Sequence, residues 1–105
     1  MAKIKDLPEK VFVEKELESI MPLFFSGRKN DFEILRSALL TDQWDRIAEI
    51  GHTLSGVCGS YGFDNMGAFG RLIEDFAAKK NKQGIQEILE IMEKHIQNVK
   101  IEYIN

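Results

Sequence analysis

His52 is the residue in this chain best suited to chemistry, and its neighbours are not those that helix stability alone would select. Ala48, Gly51, Ser55, Gly56 and Gly59 lie three or four residues from it or from one another. On a helix, that spacing gathers them around one patch of the surface. Glycine inside a helix costs about 0.5–1 kcal/mol against alanine. The cost implies that something approaches this helix backbone closely, either another helix of the fold or an external partner. An imidazole is largely neutral near pH 7 and keeps one nitrogen lone pair free for nucleophilic attack. With Ala48 one turn back and Gly56 one turn on, the ring of His52 has no bulky neighbour on either side. Such a bare histidine suits group transfer to or from a docked protein. The competing reading is a partly buried histidine, hydrogen-bonded within a tight contact between helices.

Other candidate residues have plainer readings. Gly56-x-x-Gly59-x-x-Gly62 has a superficial likeness to a phosphate-cradling loop, but that loop needs a Gly-Lys-Ser/Thr ending on a strand-to-helix turn, and no strand precedes it. Cys58 falls on an apolar stripe and reads as a small buried hydrophobe rather than a redox centre. As the single cysteine it can form no internal disulfide, and no Cys/His cluster has zinc spacing. His95 reads as a polar residue at the edge of an apolar stripe. The charged runs at Arg28–Asp31 and Lys79–Lys82 read as solvated faces. Trp44 is expected to pack against one end of the fold, and Phe24, Phe25, Phe63 and Phe69 are expected in the core.

The elements that must position His52 are helical. Apart from a weak β pattern at Val11-Phe12-Val13, period-two alternation is missing. Residues 1–13 read as an irregular or extended arm, and 14–105 as the single folded domain. Leu17, Ile20 and Met21 predict a short helix over roughly 14–20. Pro22 belongs in the first turn of a new helix, where its missing N–H is harmless. From there Phe24, Phe25, Arg28, Phe32, Leu35, Ala38 and Leu39 hold one phase to about residue 40. Gly27 weakens that helix without ending it. Asp42 is the candidate N-cap of the helix carrying His52, whose core stripe is Ile47, Ile50, Leu54, Val57, Cys58 and Tyr61. Gly62-Phe63-Asp64 ends it and caps the next, which presents Met66, Phe69, Ile73, Phe76 and Ala77. Lys79 and Lys80 complement that helix's dipole. Asn81 caps the last helix, with its stripe Ile85, Ile88, Leu89, Met92, Ile96 and Val99. Four amphipathic helices on very short loops predict an all-α, antiparallel up-down four-helix bundle with a short extra N-terminal helix.

Composition narrows the partners. The 105 residues carry 14 basic and 17 acidic side chains, a formal charge of −3, which argues against a nucleic-acid or anionic-membrane binder. A transmembrane helix needs about 20 mostly apolar residues, and the longest apolar run, Ile20–Phe25, is far shorter and contains Pro22. No export signal opens the chain. The expectation is a cytoplasmic, monomeric, cofactor-free protein, free-standing because its ends read as complete.

His52-Thr53-Leu54-Ser55-Gly56, with Gly62 six residues after Gly56, resembles the signature of histidine-containing phosphotransfer (HPt) domains: H-x-L-K-G, five variable positions, then G. Phe32–Ile50 resembles the family's long helix, its polar turn and the entry to the histidine helix. Gly62–Glu74 resembles the helix that follows. The resemblance implies a bacterial-type phosphorelay protein whose His52 accepts a phosphoryl group from a receiver aspartate through Nε2 and passes it to another. Receiver domains and hybrid histidine kinases are the implied partners, docking on Ala48, Ser55, Gly56 and Gly59. Gly56 matches the glycine that lets the receiver approach, and Gly62 the structural glycine that turns the chain. The family has no catalytic centre of its own, so magnesium is expected only in the partner receiver, with no metal site here. One position departs: the family's usual lysine, three residues after the histidine, is Ser55. That implies slower transfer or a cation supplied by the partner, and it sustains a second reading, a degenerate HPt fold that docks a receiver or kinase without being phosphorylated. A bundle dimerising through its glycine face is a third.

Overall fold

The computed structural model describes residues 7–105, so part of the arm expected over residues 1–13 lies outside the described residues. A strand β1 (Lys10–Glu14) leads through a 3₁₀ turn at Lys15–Ile20 into α1 (Met21–Leu40), α2 (Trp44–Ser60), α3 (Asp64–Ala78) and α4 (Lys82–Asn98), and the chain ends in β2 (Lys100–Ile104). Four helices form the helical bundle, and the short N-terminal helix expected near residues 14–20 is the 3₁₀ turn. Pro22 sits in the first turn of α1, and Gly27 leaves that helix unbroken.

The all-α expectation was incomplete. β1 and β2 pair in parallel, with Lys10 opposite Lys100 and Glu14 opposite Ile104. A parallel pair requires a long crossover, and here the whole bundle serves as that connection. Val11 and Val13 point into the core while Phe12 stays exposed, the alternation of a strand covered on one side. Lys100-Ile101-Glu102-Tyr103-Ile104 alternates too, with Ile101 and Tyr103 half-buried against the core. Val99 takes extended backbone angles and switches the chain from helix to strand.

The caps divide between expectation and correction. Asn81 caps α4, its side chain accepting from the Gly84 N–H at 3.0 Å. Asp42 does not cap α2. It adopts a left-handed φ of 53° and its carboxylate lies 2.6 Å from Lys82 Nζ, tying the α1–α2 turn to the start of α4. Gln43 occupies the N-cap position instead, and Asp64 is the first residue of α3 rather than its cap. At Gly62, φ is +86° and a Cβ would stand 2.6 Å from the Phe12 carbonyl oxygen. The α2–α3 turn therefore needs glycine both for its backbone and for the strand lying over it.

The core draws on β1, the four helices and the α2–α3 turn, with Val13, Leu35, Ile47, Leu54, Phe63, Met66, Ile73, Ile85 and Met92 among its buried side chains. Phe24 packs against Tyr61 and Phe63, with ring centroids 4.7 and 4.9 Å away. Phe25 and Phe69 are half-buried against the same core, as is Trp44. Arg28–Asp31 is not a solvated face: the pair is mostly buried at 3.0 Å, and the guanidinium lies 5.0 Å from the Phe24 ring centroid. Cys58 is buried, and burial pushes its thiol up to about 12, far from the thiolate form.

His95 corrects the sequence reading most clearly. It is buried rather than marginal, edge-on to Phe63 at 5.7 Å. Burial lowers its pKa by penalising the imidazolium. The unfolded chain therefore binds the proton more readily than the folded one. This contribution to stability is complete above the ordinary histidine value and is lost as pH falls through it towards the lower folded value. Urea unfolding at pH 7.5 and 5.5 should show the wild type losing stability at the lower pH, with a smaller loss in His95→Gln.

Candidate functional site

The glycines of α2, read from sequence as one patch, divide into two sets. Gly51 is buried, and a Cβ there would stand 2.7 Å from the Gly70 carbonyl oxygen and 3.1 Å from the Glu74 nitrogen. A Cβ on Gly70 would meet the Gly51 carbonyl oxygen at 2.6 Å and the Ser55 nitrogen at 2.7 Å. Gly67 completes the contact, 3.1 Å from the Ser55 carbonyl oxygen on the same measure. These glycines let α2 and α3 pack backbone to backbone. Gly51 thus belongs to the fold and not to an outer surface.

Gly56 has no such reason. It is exposed in the middle of α2, and a Cβ there would find nothing within 4 Å. Gly59 is exposed too, with only an Asp64 carboxylate oxygen, at 3.9 Å, near its Cβ position. Ala48 and Ser55 are half-buried at the edge of the same face. The Ser55 hydroxyl donates to the His52 carbonyl oxygen at 2.7 Å, a bond within its own helix.

His52 projects from this face with 78% of its side chain exposed, which rules out a histidine locked inside a helix contact. Its Nδ1 lies 3.4 Å from Glu74 Oε1 on α3. A carboxylate beside Nδ1 favours the tautomer with its proton there, leaving the Nε2 lone pair free. Sequence reading missed Glu74. It lies 22 positions from His52, and only the glycine-mediated register of α2 against α3 brings the two together.

Among the described residues no group of three His, Cys, Asp or Glu side chains could hold a metal ion. No helix among them is long and apolar enough to cross a membrane. What the site offers is one accessible nitrogen nucleophile, its tautomer biased from behind, on a helix face kept bare.

The family model of the Hpt domain matches residues 19–102, from the 3₁₀ turn into β2. The chain belongs to the Hpt domain family. Members of this family are phosphocarrier modules of two-component signalling that interact with receiver domains and kinases. No curated protein and no solved structure matches the chain significantly.

The two glycine sets should respond oppositely to a methyl group. Gly56→Ala should raise unfolding stability by about 0.5–1 kcal/mol, the propensity gain of an unobstructed helical site. Gly70→Ala should lower it by about 3 kcal/mol, since backbone rather than a flexible side chain blocks the methyl. Urea denaturation of both variants beside the wild type reads the two signs.

Proposed function

We propose that this chain relays a phosphoryl group between receiver-domain aspartates through Nε2 of His52, as an antiparallel up-down HPt bundle. The observation that carries the reading is Gly56: a helix-weakening residue beside an exposed histidine, at a position where the fold leaves open space. Its helical cost is offset by no contact among the described residues, so the bare backbone is best accounted for by a partner that must come close. Receiver domains dock on the face formed by Ala48, Ser55, Gly56 and Gly59. The acidic pocket and magnesium ion that activate the phosphoryl group belong to the receiver.

In the transfer step, the Nε2 lone pair attacks phosphorus as the bond from phosphorus to the receiver's aspartyl oxygen breaks. The electron pair of that bond stays on the aspartate as carboxylate. The product is an Nε2-phosphorylated ring that retains its Nδ1 proton and carries a positive charge. Glu74 faces that proton and stabilises the charge as it develops. No proton need leave, so the reverse transfer follows the same path.

The test is transfer of labelled phosphate from a phosphorylated receiver, with His52→Gln as control. Acid-labile, base-stable label on the wild type alone supports the relay. Absence of label, with the receiver still bound, supports instead a docking adaptor. Gly56→Trp should abolish transfer while circular dichroism and thermal unfolding show an intact bundle. Loss of the fold in that variant would make Gly56 a packing residue.

Glu74→Ala should slow transfer about tenfold, the scale of losing one charge-assisted contact. Glu74→Gln should fall between, because its amide oxygen can still face Nδ1–H without the charge. Equal rates in all three proteins would remove Glu74 from the mechanism.

A further inference from the structure

A phosphoryl group on His52 would meet an acidic surface. Asp45 and Glu49 are exposed on the same side of α2, and Glu74 stands behind the ring. Phosphohistidine at this place would bring close to two negative charges. Ser55 offers no positive charge, and its hydroxyl is already committed to the His52 carbonyl oxygen. A compensating cation must come from elsewhere.

Only two cations lie on α2 and α3 together, Arg46 and Arg71. Arg46 precedes His52 by six residues, which places it about 120° away around the helix. Arg71 is differently placed. Contacts between α2 and α3 run in opposite directions: Gly51 meets Gly70 and Glu74, Ser55 meets Gly67 and Gly70, and Gly59 approaches Asp64 and Gly67. Moving one turn along α2 from His52 to Ser55 therefore moves one turn back along α3 from Glu74 to Arg71. Arg71 stands to Ser55 as Glu74 stands to His52. One turn is about 5.4 Å, a gap that an arginine side chain spans, and the glycine contact keeps the helices close.

Arg71 is also free to act. It is exposed and forms no ion pair among the described residues. Arg28, Arg36 and Lys82, by contrast, pair with Asp31, Glu93 and Asp42. A guanidinium can hold two phosphoryl oxygens at once through its planar fork.

We propose that Arg71 supplies from α3 the positive charge that Ser55 does not, binding the phosphoryl group carried by His52. This rests on the reading of His52 as phospho-acceptor. The step that Arg71 assists is the one given above, with the phosphoryl oxygens facing the guanidinium while the Nε2–phosphorus bond forms.

The experiment compares two phosphodonors on the full chain. One is a phosphorylated receiver. The other is phosphoramidate, which loses ammonia as phosphorus moves to Nε2 and involves no protein docking. Arg71→Ala should slow labelling of His52 by about fivefold or more with both donors, the scale of one charged contact. Arg71→Lys should keep most of the rate, Arg71→Glu should be slowest, and Ser55→Lys combined with Arg71→Ala should restore it. A wild type labelled at His52 with an Arg71→Ala variant of equal rate would overturn this assignment and leave the relay standing. Slowing with the receiver alone would also overturn it, because Arg71 would then be a docking contact. A wild type labelled by neither donor would overturn relay and assignment together.

Discussion

The backbone contact between α2 and α3 is the constraint on which the site depends. Gly51 and Gly70 face each other so closely that a Cβ on either would lie under 3 Å from the other's carbonyl oxygen. That contact sets both the separation and the register of the two helices. Side chains of ordinary size would force them apart and let them slide. With the glycines interlocked, the position of every α3 side chain relative to His52 is decided. Glu74 comes to Nδ1 from this packing and from no local sequence signal.

The same helix carries glycines for two opposed reasons, and the surroundings alone separate them. Gly51 weakens α2 locally but gains a tight helix contact in return. Gly56 weakens it and gains nothing inside the fold. A protein pressed only towards stability would have replaced the second and kept the first. Retaining Gly56 makes sense where a bulky surface must reach the histidine without touching an intervening side chain. Gly62 adds a third use, since its left-handed backbone turns the chain under β1 and fastens the N-terminal strand beside the far end of α2.

Much of this was legible because helices announce themselves through periodicity. The stripes Phe24–Leu39, Ile47–Tyr61, Met66–Ala77 and Ile85–Val99 are strong, and the turns between them are short, so four helices and their core faces follow from spacing. The sheet was legible only as the weak β pattern at Val11–Val13, inside β1, with no sign of its partner. Its strands are five residues each and pair across the whole chain, and of the β2 residues only Tyr103 falls on the helical phase of the α4 stripe, which Ile101 opposes. His95 was misplaced because helical phase puts it at the edge of the stripe, whereas in the fold it is buried with Phe63 edge-on to its ring. Asp42 was given a cap because its type and place suited one, yet its partner is Lys82, 40 positions away. His52 stood out because its neighbours are chemically odd in sequence, and the structure leaves its side chain exposed. Glu74 did not stand out, because a glutamate on a helix is odd only when one knows what lies opposite.

Placing a carboxylate behind the imidazole has an electrostatic consequence that bears on the rest of the site. In the proposed transfer, Glu74 beside Nδ1 favours the tautomer that leaves Nε2 free, but its charge also opposes a dianion arriving on the far side of the same ring. The ring lies between the two, and once phosphorylated at Nε2 it becomes cationic and screens them. Before that bond formed the screening would be absent, and an incoming phosphoryl group would meet the full acidity of Asp45, Glu49 and Glu74. A nearby cation therefore matters most on the approach and in the transition state, and least in the finished phosphohistidine. In such a site charge belongs on a long, mobile side chain at the rim. A lysine on α2 itself would place its stem beside the histidine, whereas an arginine reaching across from α3 leaves the bare face around Gly56 unobstructed.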